Sequence, residues 1–440
     1  MNSKKILAFV LSAAMILGLA ACGKTTTDSS NNTQTPADGG KKKLVIWAWD
    51  GSFNIVAANE AKAIYQKEHK DVDVEVVEMA QNDIVQKLNT NLSANSTEGL
   101  PNIVLIEDYR AQNFLNSYGD SFKDISGKVK ASDFMDYKIK SNSLNGNLYG
   151  LPFDSGVTAL FYRTDLIEQA GYKKEDMNNL TWDKFIEIGK AVKAKTGKEM
   201  LTLDPSDLGL IRVMMQSAGQ WYVKDDGKTV NIADNQALKE SIKTWKSLMN
   251  SGIVKPITGW DNFVGAFQKG DVASVPTGCW ISSSVMKAED QSGKWAVAPI
   301  PRLSAISSSV NASNLGGSSW YVLKNVGDSD LAVDFLSSTF GSSKDLMNTL
   351  VEKINLVSTL KSASSTDNYN KTIDFYGGQK LMQDFATWTS KIPAVNYGTS
   401  TYNIEDIMTG AVQNIVGKNA DMNATLKDAQ KQAEAAVANK

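Results

Sequence analysis

Leu44-Val-Ile-Trp47 is a continuous apolar run, the pattern of a strand buried on both faces. It breaks at Trp49-Asp50-Gly51-Ser52, and from Ile55 to His69 the apolar positions (Ile55, Ala58, Ala61, Ile64, Tyr65) fall at helical spacing. Val72, Val74, Val76 and Val77 predict a second strand, and Ile84, Leu88 and Leu92 share one face of a second helix. Pro101-Asn-Ile-Val-Leu-Ile106 reads as a third buried strand, ending in Glu107-Asp108-Tyr109. Strand, helix, strand, helix, strand is the order of a parallel sheet flanked by helices.

Farther on, Leu148-Tyr-Gly-Leu-Pro152-Phe-Asp154-Ser is a turn with restricted backbone that leads into a buried strand at 159–162 and then a helix. Thr181 is placed to cap the helix opened by Trp182. Residues 201–223 predict a Met-rich helix followed by Gly219-Gln-Trp221-Tyr222, and residues 234–249 a further helix. Asn262 to Trp280 predicts an amphipathic helix, a stop at Gly270, a short buried strand and a bend at Gly278 that delivers the flat side chain of Trp280. Residues 295–301 are extended, 303–314 read as a Ser- and Asn-rich surface loop, and 315–323 predict a strand entered through Gly316 and Gly317. The remainder is mostly helical, to a polar helix at 423–438.

A length of 440 residues exceeds one comfortable hydrophobic core, so two lobes are expected. The 46 basic and 48 acidic residues are interspersed, with a net charge of −2, which marks no nucleic-acid surface. At the amino terminus, Lys4 and Lys5 precede a short apolar run, 6–19, and the small residues Ala20 and Ala21. That is the layout of a secretory signal over 1–21. Cys22 directly after the small pair resembles the lipobox of bacterial lipoproteins, which implies a cleaved signal, a lipidated Cys22 and attachment to the outer face of the cell membrane. Residues 22–42 would then hold the lipidated cysteine and a polar tether spanning on the order of 25 Å.

Cys279 is left without a disulfide partner, and no metal-ligand spacing is present. The sole histidine, His69, lies in a polar helix end, unlinked to any nucleophile motif, so Ser-His-Asp or Cys-His catalysis has no support and no cofactor is implied. In parallel sheets ligands collect at the carboxyl ends of strands. Two such ends carry similar chemistry here, Trp49-Asp50 and Asp108-Tyr109; an aspartate there also serves as a helix cap, but its paired occurrence favours a site.

Several segments in one order resemble the extracellular solute-binding proteins of family 1, the sugar-binding components of bacterial ABC importers. They are Lys43-Leu-Val-Ile-Trp47; Gly150-Leu-Pro-Phe-Asp154 with the stretch from Leu160 to Gly171; Ala266-Phe-Gln-Lys-Gly270-Asp-Val-Ala with Gly278-Cys-Trp280; 295–301; Gly316-Gly317; and Ile392-Pro393 through Tyr402. The resemblance runs from residue 43 to the end. It implies an α/β, two-lobe periplasmic-binding-protein-like fold with three interlobe crossings and a hinge, closing on a sugar. The crossings are expected near 152–158, 275–280 and 314–319, with Gly278 as a joint. Lobe 1 is expected at 44–153 plus 279–315, and lobe 2 at 154–278 plus 316–440. A monomer that passes its ligand to ABC permease subunits is implied.

A sugar ring offers an apolar face to aromatic side chains and hydroxyls to carboxylates and amides. The aromatic candidates are Trp49, Trp221, Trp260, Trp280 and Trp320, with Trp280 at the family position that stacks on sugar. Asp50, Asp108 and Asp154 are the candidate hydroxyl partners, and Tyr397 or Tyr402 stands where the family's last aromatic contact falls. Trp47, Trp182, Trp245, Trp295 and Trp388 are expected in the core. The competing readings are a glycoside hydrolase with two carboxylates, the same fold binding a peptide, polyamine or anion, and a purely structural surface lipoprotein. The four arginines, 110, 163, 212 and 302, do not cluster in sequence as an anion binder would want.

Overall fold

The computed structural model describes residues 41–438. The first five elements alternate as expected: β1 (Lys42–Ala48), α1 (Asn54–Glu68), β2 (Val72–Glu78), α2 (Gln81–Ser93) and β3 (Ile103–Glu107). Then come α3 (Asp108–Tyr118), α4 (Asp136–Asn142), the short strands β4 (Ser143–Leu144), β5 (Asn147–Leu148) and β6 (Gly150–Pro152), and β7 (Thr158–Arg163). The middle of the chain forms α5 (Thr164–Gln169), α6 (Trp182–Thr196), β8 (Leu201–Leu203), α7 (Gly209–Ser217), α8 (Gln236–Asn250), β9 (Val254–Pro256), α9 (Trp260–Gln268) and β10 (Ser274–Gly278). The last third forms α10 (Ser282–Met286), β11 (Trp295–Pro299), β12 (Ser318–Val322), α11 (Ser329–Ser338), α12 (Lys344–Ile354), α13 (Leu381–Thr389), α14 (Thr401–Gly417) and α15 (Met422–Ala438).

Two sheets organise these elements. The larger has the order β2-β1-β3-β12-β6, and the smaller β10-β7-β11. β1 pairs in parallel with β2 and β3, which needs the crossover helices α1 and α2 between them. In β2 the alternation is visible in burial, with Val72 and Val74 buried while Asp73 and Glu75 are exposed. β12 enters antiparallel between β3 and β6.

Leu44, Ile46, Leu105 and Trp320 on one face of the large sheet pack against Ala57, Leu336 and Leu350 of α1, α11 and α12. Trp47, Val104, Ile106 and Tyr321 on the other face pack against Leu88 of α2 and Phe114 of α3. The small sheet divides by parity: Phe161, Val275 and Val297 join the first core with Phe385 of α13. Leu160, Tyr162, Ala296 and Ala298 face a second core built with α6, α7, α8, α14 and α15.

Strand pairing corrects the expected lobe boundaries. β11, expected in lobe 1, pairs with β7, and β12, expected in lobe 2, pairs with β3. Residues 275–280, expected as a crossing, belong to β10 and its exit; the chain leaves and re-enters the same small sheet, because β10 and β11 both pair with β7. Residues 153–157 and 300–317 lead from one sheet to the other. A passage not foreseen, 390–400, runs from α13 in the first core to α14 in the second. The 303–314 segment is irregular, as read, but not wholly superficial. Ser309, Ala312, Ser313 and Asn314 are buried, and Ser313 Oγ donates to the Val213 carbonyl at 2.8 Å. The helix expected over 201–223 is confined to α7, with β8 ahead of it.

Candidate functional site

Asn314-Leu315-Gly316, just ahead of β12, is flanked by two separate aromatic groups. On one side, β10 ends at Gly278, where a Cβ would stand 2.1 Å from the Trp280 Nε1 atom. Glycine there supplies room for the indole to fold back, with φ −68°, an ordinary backbone angle. Trp280 Nε1 donates to the Leu315 carbonyl at 3.0 Å, which fixes the ring while leaving it half-buried. Trp260, 54% exposed at the start of α9, sits 5.7 Å from Trp280 at a 41° tilt and 5.5 Å from Phe263. Together they make a bent, partly open aromatic surface.

On the other side, Tyr109 from the start of α3 donates its hydroxyl to the Asn314 carbonyl at 3.3 Å and accepts from Gly316 N–H at 3.2 Å. Its ring stacks on Trp221 (5.5 Å, 26°) and meets Tyr397 edge-on (4.7 Å, 85°), and Tyr402 lies 6.5 Å away. Trp221 Nε1 donates to Thr401 Oγ1 at 3.0 Å, and the Tyr397 hydroxyl is held by Gln216 and Asn314. Both rings are buried, but Trp221 also forms one wall of a cavity of about 460 Å³, lined by Gln220, Lys224, Asp225, Asn231 and Asn396.

Charged groups surround this second cluster. The Arg212 guanidinium lies 4.9 Å over the Tyr109 ring and 5.9 Å from Tyr402, and Arg110 lies 4.2 Å over Tyr402. Tyr402 donates to Glu107 at 2.6 Å, and Arg212 Nη1 is 3.1 Å from Glu405. Burial pushes the Glu405 carboxyl up from its usual range, with Arg212 pulling the other way.

The three candidate carboxylates do not meet at one point. Asp50, exposed after β1, has a φ of +65° and uses its Oδ1 to accept from the Ser52 amide and hydroxyl. Trp49 beside it is half-buried against the core. Asp108 and Asp154 share a buried polar knot. Lys138 Nζ reaches Asp108 Oδ2 at 2.5 Å and the Ser318 carbonyl at 2.8 Å, and Ser319 Oγ donates to Asp108 Oδ1. Asp154 Oδ1 accepts from the Ser318 amide and hydroxyl. Burial pushes Asp108 up to about 6 against the pull of Lys138. Asp154 Oδ1 and both Asp108 oxygens thus serve the protein's own hydrogen bonds rather than an open cleft. Gly317 closes the knot: its φ is +92°, and a Cβ would stand 2.8 Å from Asp108 Oδ2.

Trp320 is corrected to core. It is fully buried on β12, stacked on Phe340 at 5.2 Å, because its position in the strand faces α11 rather than a cleft. The five tryptophans read as core are all buried, and Cys279 is buried too, its Sγ donating to the Ser155 carbonyl at 3.1 Å. Glu107, Arg110, Arg212 and Glu405 were not singled out in the sequence. The available signal for Arg212 was a lone charge inside the apolar run Gly209–Ser217, every residue of which is buried.

Among the described residues, no group of three or more His, Cys, Asp or Glu could hold a metal ion, and no helix is long and apolar enough to cross a membrane. Cys22 and the apolar run before it lie outside the described residues.

Three comparisons bear on this arrangement. A family model for bacterial extracellular solute-binding proteins matches residues 60–376. A lactose-binding protein of Rhizobium radiobacter is 46% identical over 391 residues, covering 89% of this chain and 92% of that protein. The solved structure of the sugar-binding protein MalE from Xanthomonas citri superposes with a TM-score of 0.75 at 18% identity, covering 90% of this chain and 98% of that one.

Proposed function

The chain belongs to the bacterial extracellular solute-binding family, and from that premise we propose that it captures a neutral saccharide between two lobes and hands it to the permease of an ABC importer. The observation that carries this reading is the pair of aromatic groups on either side of residues 314–316. Trp260 and Trp280 offer a partly open stacking surface, and Tyr109, Trp221 and Tyr397 gather around the segment's other side. Aromatic faces stack on the C–H patch of a sugar, and the amides and charged groups around them suit its hydroxyls.

On this reading, lobe 1 is the five-stranded sheet with α1–α3, α11 and α12, and lobe 2 is the three-stranded sheet with α5–α8, α14 and α15. Closure is a hinge motion through 153–157, 300–317 and 390–400. Asp50, exposed at the end of β1, is the carboxylate left to meet a hydroxyl. Cys22 carries the lipid that holds the protein at the outer face of the membrane, as a monomer beside its permease.

The lactose-binding relative puts a lactose-type disaccharide first among ligands to try. Titration of the purified protein with a panel of mono- and oligosaccharides, followed by tryptophan fluorescence, tests the reading. A saturable response to a disaccharide is expected; none to any saccharide would sink it. The hydrolase reading gains nothing from the geometry, since Asp108 is locked to Lys138, Asp154 is bound by Ser318, and His69 is stacked on Tyr65 at 3.9 Å.

A further inference from the structure

Arg212 is more than nine-tenths buried, and its guanidinium is poorly matched to its surroundings. Its Nη1 stands 3.1 Å from Glu405 Oε2, yet the two are not aligned for a hydrogen bond. Five atoms shut off from solvent in this neighbourhood lack any hydrogen-bond partner: Arg212 Nε and Nη1, Arg110 Nε, Glu405 Oε2 and the Tyr222 hydroxyl. Native proteins leave few buried polar atoms unpaired, because each forfeits its hydration without replacement. A cluster combining donors, a carboxylate acceptor and a hydroxyl is a set of open valences of the kind that vicinal sugar hydroxyls satisfy.

The setting points the same way. Arg212 lies over the ring of Tyr109, which itself stacks on Trp221, so the polar atoms border an aromatic surface. Tyr109 comes from α3, whereas Arg212 and Glu405 come from α7 and α14. Separation of the lobes would lift Tyr109 off Arg212 and open that side to a ligand. Arg212 and Arg110 are matched by Glu405 and Glu107, and Asp207 adds a third carboxylate at the exposed margin.

We propose that Arg212 and Glu405 form a specificity pair within the saccharide site, Arg212 donating to ligand hydroxyls and Glu405 accepting from them. Because each neutralises the other, the site admits a neutral saccharide and rejects one that carries a carboxylate at this end. An acidic sugar would meet Glu405 and Glu107 while finding the Arg212 charge already matched. This rests on the saccharide-binding reading above.

The test compares affinities of the mature protein and Glu405→Gln for two ligands by calorimetry. One is the neutral disaccharide that responds most strongly in the panel, and the other its counterpart with a uronic acid in place of one hexose. The mature protein is expected to prefer the neutral ligand, and Glu405→Gln to narrow that preference by about tenfold or more, on the scale of one charged hydrogen bond. An unchanged ratio in a variant that still melts cooperatively overturns the proposal and leaves the pair structural. If Glu405→Gln does not fold, the apolar double variant Arg212→Met/Glu405→Met removes both charges together. It is expected to fold and to bind the neutral disaccharide about tenfold more weakly, and an unchanged affinity there overturns the proposal. Failure of the mature protein to bind any neutral saccharide strikes the saccharide reading itself, a result distinct from an unchanged ratio.

Discussion

Tyr402, at the start of α14, donates a 2.6 Å hydrogen bond to Glu107, at the carboxyl end of β3. The bond ties an element of the second core to the large sheet at the rim of the aromatic cluster. A hydrogen bond to a carboxylate contributes about 1.5–3 kcal/mol where it is sheltered. Tyr402→Phe should raise the ligand dissociation rate several-fold while lowering the melting temperature by only a few degrees. Stopped-flow fluorescence measures the first, and an unaltered off-rate would remove Tyr402 from closure.

Trp280→Ala should weaken saccharide binding by about 1–3 kcal/mol, the scale of one stacked ring. Trp260→Ala, at a side chain 54% exposed, should weaken binding while changing stability by no more than about 0.5 kcal/mol. Calorimetry and denaturant unfolding separate the two quantities. Equal affinities for all three proteins would move the site away from α9 and β10.

Trp320→Ala should do the reverse. Its ring fills the space between Phe153 and Phe340 in the first core, so truncation should cost about 3–5 kcal/mol of stability. The fraction that folds should bind saccharide normally. A loss of affinity without a loss of stability would return Trp320 to the site.

Asp108 and Lys138 are both fully buried and joined in an ion pair. The pH dependence has a definite sign. Asp108 titrates near 6 in the folded protein against an ordinary 3.8, so the native state holds this proton more tightly than the unfolded one. Its contribution is fully present below about pH 4 and is lost as pH rises through 6. Compared with Asp108→Asn/Lys138→Met, the unaltered protein should lose stability over that window, read as the difference in urea midpoints between pH 4 and 7. Parallel pH profiles would contradict the assignment.

Cys22→Ser should leave the protein uncleaved at that position and free of lipid, which fatty-acid labelling of intact cells would reveal. Persistent labelling would place the anchor elsewhere.

The early strands were legible because their neighbours are close in sequence and their burial follows a period of two or a continuous run, as in Val72 and Val74 against Asp73 and Glu75. The place of β12 was not. Its apolar pattern says strand, but nothing local says that it inserts between β3 and β6. Trp280 and Trp320 both follow glycines closely, and only the packing on Phe340 tells a core ring from a half-exposed one. Asp108 looked like a free strand-end carboxylate because Lys138, its partner, stands 30 residues away on a helix with no pattern to announce it. Tyr109 was in view beside Asp108, yet its stacking on Trp221 depends on two segments that meet only in the finished fold.

The insertion of β12 also bears on how such a chain can be made. Asp108 waits for the hydroxyl of Ser319, 211 positions later, and β3 has no partner on its second edge until the same strand arrives. A polypeptide emerging amino end first therefore cannot finish its first lobe until most of its length is available, because contacts so distant form late. Until that trailing strand is available, β3 and β6 lack the partner that joins them, and the large sheet stays unlocked however early its first three strands are in hand.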